Sequence, residues 1–357
     1  MGQGLRSLEA VGLWLSDQVP QVPAIATSVA VGTQTLLEGA WGDAGWKQGE
    51  PLLDLNTPFL VASLTKPVVC TGAMLLVQDG LLSLDEPVAE HLPAFGTRGK
   101  ESITLRHLMT HTSGLPDQLA NNMELRQQHA PLKVFLEHVC ALEPLFSPGS
   151  SVRYQSMGLL VLGAVIEGLT GEPLGPWLDK VLFKPLGMVH TTLGMPAGGI
   201  ISTVRANSSA SERHSAIDTD WGWNSAYWRA LGAPWGGLHS TATDLSRLLQ
   251  HMLGELPGPL TTPARLAMRS DQSSRLPQPA AGVAPWERWG LGWRLGARPC
   301  GDLVSSKTFG HTGATGTLFW ADPHSNVSCV LLTNRPDCHT LMARYSNAVV
   351  AALSQEM

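Results

Sequence analysis

No CxxC pair occurs in these 357 residues, and the five cysteines, Cys70, Cys140, Cys300, Cys329 and Cys338, are odd in number. A set of this kind excludes a disulfide framework and a closed zinc site, so reduced thiols are expected. Charged residues are scarce, at 15%, and 24 Lys plus Arg against 29 Asp plus Glu leave a net charge of -5. That mild acidity excludes a general polyanion binder, and no nucleic-acid partner is expected. No apolar run is long enough to span a bilayer, and LLVLGAVIEGL reads as a buried helix. The first twenty residues lack the continuous apolar stretch of a signal peptide, because Glu9 and Asp17 bracket only a short one. A soluble, cytoplasmic protein is the expectation.

Other absences narrow the chemistry. His107 and His111 are four apart, the spacing of two ligands on one helix face, but no glutamate completes an HExxH pattern. No glycine cluster has the GxGxxG or Lys-bearing P-loop form. Neither a metal nor another cofactor is expected. There is no internal repeat and no low-complexity tract beyond short Pro-rich loops.

What is present is 43% hydrophobic, enough to bury a sizeable core in one large domain or two lobes. Ala24 to Trp41 alternates around Gly32-Thr33 and predicts a hairpin. VASLTKPVVCTGAMLLVQDG has helical spacing and a stop at Gly80. From Leu84 to about residue 205 the pattern is helical with Gly/Pro-rich connections. Residues 208–228 read as a long surface loop, TATDLSRLLQHML as an amphipathic helix, and 286–334 as strands. The tryptophans between positions 221 and 235 fit equally a ligand cleft or a staple of that loop to the core.

Ser63 and Lys66 stand three apart, so on a helix they share a face and the amine can reach the hydroxyl. A serine hydroxyl needs a neighbouring base, and lysine serves when desolvation or nearby cations leave it partly neutral. A solvated helix start would also produce SxxK. Against that reading, Lys66 lies within a strongly apolar run, where a purposeless lysine is unfavourable. Tyr154 precedes another apolar helix and is open to two readings, a core tyrosine or a proton-transfer phenol. Phe309 to Ala314 (FGHTGA) reads as a strand whose Gly313 admits close approach of a ligand.

Together VASLTKPVV, LDEPVAEHLP, ITLRHLMTHTSGLP, SPGSSVRYQSMGLLVLG, PLGMVHTTLG, GGLHSTATDLSRLL and FGHTGATGTLFWADP, in this order from about Phe59 to Asn334, resemble the serine β-lactamase-related superfamily. It comprises class C β-lactamases, D-Ala-D-Ala peptidases of the penicillin-binding-protein type and family VIII carboxylesterases, related to the SxxK and KTG enzymes. The resemblance implies an α/β (α+β) fold: an antiparallel sheet flanked by helices and built from both termini, with an inserted, mostly helical lobe. On this view residues 1–357 form one catalytic unit, with an α/β lobe of about 1–80 plus 206–357 and a helical lobe of about 81–205.

The resemblance further implies Ser63 as acylated nucleophile, Lys66 as base and Tyr154 as second proton-transfer group. The N–H groups of Ser63 and Ala314 would form an oxyanion hole, and Ser156, His311, Thr312 and Gly313 would bind substrate. Two departures stand out: Tyr154-Gln155-Ser156 replaces Tyr-x-Asn, and His311 replaces the KTG lysine. A serine lacks an amide's paired donor and acceptor, and histidine is largely neutral near pH 7. Both lean toward small carboxylic esters over β-lactams, with activity rising into alkaline pH as Lys66 and Tyr154 lose protons. The alternatives are a β-lactamase or D-amino-acid peptidase of the same fold, and a catalytically silent scaffold or ligand-binding protein.

Overall fold

The computed structural model describes residues 5–45, 53–195, 203–206, 218–274, 276, 287–296 and 300–356. The expected hairpin forms β1 (Ala24–Val31) and β2 (Gln34–Gly42). Its turn uses Gly32 at φ 58°, a left-handed conformation that glycine adopts without steric cost. The chain returns to the same sheet through β6 (Arg288–Trp289), β7 (Arg294–Leu295), β8 (Phe309–Gly313), β9 (Thr317–Asp322) and β10 (Val327–Thr333). The strand order is β2-β1-β10-β9-β8-β7-β6, with every neighbouring pair antiparallel. Residues from both ends of the chain therefore build one sheet.

The sheet is buried on both faces, which explains why β1, β9 and β10 are nearly continuous apolar runs. Period-two alternation still sorts their side chains. Ile25, Val29, Cys329 and Leu331 face α1 (Leu8–Ser16) and α12 (His339–Glu356), whereas Ala24, Ala26, Val330 and Leu332 join the larger core on the other side.

That larger core holds α2 (Thr65–Gln78), entered through a 3₁₀ turn at Ala62–Leu64. A three-stranded sheet of β3 (Phe59–Leu60), β4 (Thr192–Leu193) and β5 (Leu238–Ser240) anchors the approach to this turn. Between residues 84 and 205 the expected helical content appears as α3 (Leu105–Met109), α4 (Asn122–Gln127), α5 (Leu132–Ala141), α6 (Met157–Thr170), α7 (Leu174–Leu178) and α8 (Lys184–Leu186). Most are short, because Pro and Gly recur throughout the segment and interrupt the backbone ladder.

Past residue 205 the expectation of one long loop needs correction. Its part at 208–217 lies outside the described residues, but α9 (Ala226–Leu231) begins inside it, with the Ser225 hydroxyl accepting from Trp228 N–H as N-cap. α10 (Ala242–Leu253) is the expected amphipathic helix, capped by Thr241, and α11 (Thr262–Met268) follows. No single helix among the described residues is long and apolar enough to cross a membrane.

Candidate active site

Ala62 takes φ 47°, an uncommon conformation for a residue with a Cβ, and turns the chain sharply between β3 and α2. Three hydroxyls hold the turn. Thr315 donates to Leu60 O at 2.6 Å, Thr317 to Val61 O at 2.9 Å, and Thr65 to Ala62 O at 2.6 Å. The loop after β8 is thereby bolted to the segment that presents Ser63.

Lys66 Nζ lies 3.0 Å from Ser63 Oγ and donates to the Trp235 carbonyl at 2.9 Å. The ammonium is 1% exposed, and burial pulls its pKa down to about 7, with Arg294 adding a smaller push and Asp117 and Cys70 opposing. Burial thus favours the neutral amine near pH 7, free to accept the Ser63 proton while still donating to Trp235 O. Tyr154 lies beside both, its ring centroid 4.7 Å from Lys66 Nζ and its hydroxyl hydrogen-bonded to Ser63. Burial pushes this phenol well above its usual value, so it keeps its proton through mildly alkaline pH. The expectation that Tyr154 ionises together with Lys66 is thus corrected, for desolvation disfavours the phenolate.

These groups open into a cleft of ≈ 760 Å³ that Ser156, His311, Thr312, Gly313 and Ala314 also line. All the site residues picked out in the sequence line it except Lys66, which is buried behind Ser63. Ser156 Oγ donates its one proton to Asp117 Oδ1 at 2.5 Å, leaving only lone pairs for a ligand. His311 Nδ1–H donates to Thr312 O at 2.7 Å, and burial, with Arg294 and Lys66 nearby, holds the ring neutral. Its buried Nε2 is a bare acceptor without a partner among the described residues. The position that carries a cation in the KTG motif carries none here.

Several neighbours went unrecognised in the sequence. Asp117 directly follows one of the quoted segments, and Arg294 and Trp289 sit in the WGLGWRLG strand pattern with no motif to mark them. Arg294 lines the cleft and pairs with Glu287 at 2.8 Å, its guanidinium 5.8 Å from the Tyr154 ring and 5.2 Å from that of Trp289. His111, weighed as a metal ligand, lies beyond the end of α3 at φ 60°, so it shares no helix face with His107. Its ring packs 4.8 Å from Tyr154 and 4.2 Å from Trp289, behind the phenol. Among the described residues no group of three or more His, Cys, Asp or Glu side chains could hold a metal ion. Trp221, Trp223, Trp228 and Trp235 all line the cleft, and Trp228 and Trp235 are also buried in the core, so the two readings of this segment hold together. Cys70 packs on α2 beneath the site, completely buried, its thiol pushed up by desolvation.

Known proteins bear on this geometry. Over 94% of its length the chain is 28% identical to a Salmonella paratyphi B protein, with 84% of that protein covered; its name gives it, provisionally, as a D-alanyl-D-alanine carboxypeptidase. A penicillin-binding protein homologue from Caulobacter crescentus superposes with a TM-score of 0.79 at 22% identity, covering 99% of both chains. A family VIII carboxylesterase gives 0.78 at 17% identity, covering 98% of both. EstCE1, described as a hydrolase with promiscuous acyltransferase activity, gives 0.77 at 22% identity over 97% of this chain and 99% of its own. These likenesses establish the β-lactamase/transpeptidase-like fold. A family model described as Beta-lactamase matches residues 15–352, and the chain belongs to that family of serine hydrolases.

Proposed function

We propose that this protein is a carboxylesterase acting on small esters through an acyl-Ser63 intermediate, with weak β-lactam reactivity. The observation that carries the hydrolytic chemistry is the buried Lys66 amine 3.0 Å from Ser63 Oγ, its pKa drawn down to about 7 by burial. In this reading Ser63 Oγ attacks the ester carbonyl as its proton passes to Lys66 Nζ. The N–H groups of Ser63 and Ala314 receive the oxyanion, each donor worth about 3 kcal/mol in comparable sites. Tyr154, still protonated, gives its proton to the departing alkoxide and recovers one from Lys66. Water then attacks the acyl group by the reverse relay. The cleft is taken to lie between a sheet lobe, about 1–80 and 206–357, and a helical lobe, about 81–205.

Ester preference rests on the surroundings of the scissile carbonyl. β-Lactams and D-alanyl peptides carry a carboxylate near the attacked bond. Here His311 is neutral, Ser156 has spent its proton on Asp117, and Arg294 is engaged by Glu287. An uncharged ester asks for none of these groups.

Side-by-side turnover of a short p-nitrophenyl ester and a chromogenic cephalosporin by wild type and Ser63→Ala checks the reading. Ester turnover should dominate and fall by at least three orders of magnitude in the variant. Dominant cephalosporin turnover would instead make Arg294 a carboxylate anchor and the protein a lactamase. The pH profile gives a separate check. Activity should rise tenfold or so between pH 6 and 8 around a single ionisation near 7, as Lys66 loses its proton, and then level off. A second rise near pH 10 would mean that Tyr154 acts as phenolate.

A further inference from the structure

Arg126 is a buried cation with no acid beside it among the described residues. It lies on α4, is 9% exposed and lines the same cleft as Ser63. Its Nε and Nη2 both donate to the Trp221 carbonyl, at 3.3 and 2.9 Å. The guanidinium rests 4.3 Å from the Trp228 ring centroid and 5.3 Å from that of Trp221. Among the described residues no carboxylate lies within ion-pair distance of it. Among the described residues the Tyr227 phenol is the ionisable neighbour that acts on it, and burial lowers its pKa to about 10, which still leaves it fully charged at neutrality.

A guanidinium has five N–H donors, of which the Trp221 carbonyl takes two. The other three, including both on Nη1, have no protein acceptor among the described residues. Its outer edge is the fork that receives a carboxylate in two parallel hydrogen bonds. Aromatic faces and a carbonyl hold that fork in one orientation, so little side-chain entropy remains to be lost on binding. One turn earlier on the same helix face, Asn122 lines the cleft beside it. Removing a cation from water without a counter-charge is unfavourable, and an incoming anion relieves the penalty.

We infer that Arg126, shelved on Trp221 and Trp228, is the anchor for a carboxylate carried by the substrate away from the scissile ester, as in half-esters of dicarboxylic acids. This rests on the acyl-Ser63 reading for the reaction but not for the binding. The selected group is held from α4 by Arg126 and not from β8 by His311, so it does not conflict with an uncharged environment at the ester carbonyl.

The test uses Ser63→Ala protein, in which binding is read without turnover. Monomethyl adipate and dimethyl adipate are titrated against the intrinsic tryptophan fluorescence. The half-ester should bind at least tenfold more tightly, and the ratio should shrink as salt is raised. Adding Arg126→Met should bring the ratio close to one, whereas Arg126→Lys, which retains a cation without the fork, should keep part of it. Circular dichroism confirms that each variant is folded. Equal affinity for the two esters, no saturation by either, or a preference that survives Arg126→Met would each overturn the inference. Failure of ester turnover in the wild-type protein bears on the esterase reading alone.

Discussion

Replacing Lys66 with methionine should abolish turnover and at the same time make the protein more stable. A pKa of about 7 against 10.5 means that the native state resists holding a proton that the unfolded chain accepts readily. The difference corresponds to a penalty on the order of 4–5 kcal/mol below pH 7, where both states must be protonated. Between pH 7 and 10.5 the unfolded state binds more protons than the native one, so wild-type stability rises with pH across that window. Methionine fills the same volume without the charge but leaves the Trp235 carbonyl without its donor, a loss of about 1–3 kcal/mol. The variant should therefore gain about 2–3 kcal/mol at pH 6, an advantage that shrinks toward pH 10, while ester turnover falls by three or more orders of magnitude. Urea melts at pH 6 and 9.5, beside initial rates, check both halves. A variant less stable than wild type at pH 6 would mean that the ammonium is well solvated in the native protein.

Adding one methyl group at Gly313 should cost both stability and turnover, for a different reason. A Cβ there would stand 2.1 Å from Thr317 Oγ1 and 2.4 Å from the Val61 carbonyl, and neither can withdraw easily. Thr317 is stiff at χ1 and its hydroxyl is committed to that same carbonyl. Val61 O belongs to the backbone two residues before Ser63. Gly313→Ala must push the end of β8 away from the Ser63 turn, which separates Ala314 from Ser63. We expect a loss of about 3 kcal/mol in stability and at least a hundredfold in kcat, measured by thermal melts and ester kinetics. A variant of near wild-type activity would show that β8 can shift without disturbing the oxyanion site proposed for Ser63 and Ala314.

The hairpin, α2 and the strands after residue 286 were legible because their periodicities are strong and their turns carry glycine. The Ser63, Lys66, Tyr154 and His311 positions were legible because each sits in a patterned segment whose order along the chain is distinctive. Asp117, Arg294 and Arg126 were not. Each is one charged residue in an otherwise ordinary stretch, and its meaning comes from what folding sets opposite it: Ser156 for Asp117, Glu287 and Tyr154 for Arg294, the Trp221 carbonyl and the Trp228 ring for Arg126. His111 was visible as a residue but misleading as a spacing, since four positions imply a shared face only while the helix continues, and α3 stops at Met109. The α9 helix was obscured by its aromatic composition, which carries little helical preference without the tertiary packing that buries Trp228.

The pairing of β1 with β10 also governs how the chain is made. The Thr27 hydroxyl reaches the Val330 carbonyl 303 residues further on, and the whole of β1 lies between β2 and β10. At ribosomal speeds of about 5–20 residues per second, roughly 15–60 s pass after β1 is synthesised before its partner exists. Through that interval the hairpin presents an apolar edge, one face covered only by α1 and the other bare, which makes it a ready client for holding chaperones and a hazard for neighbouring nascent chains.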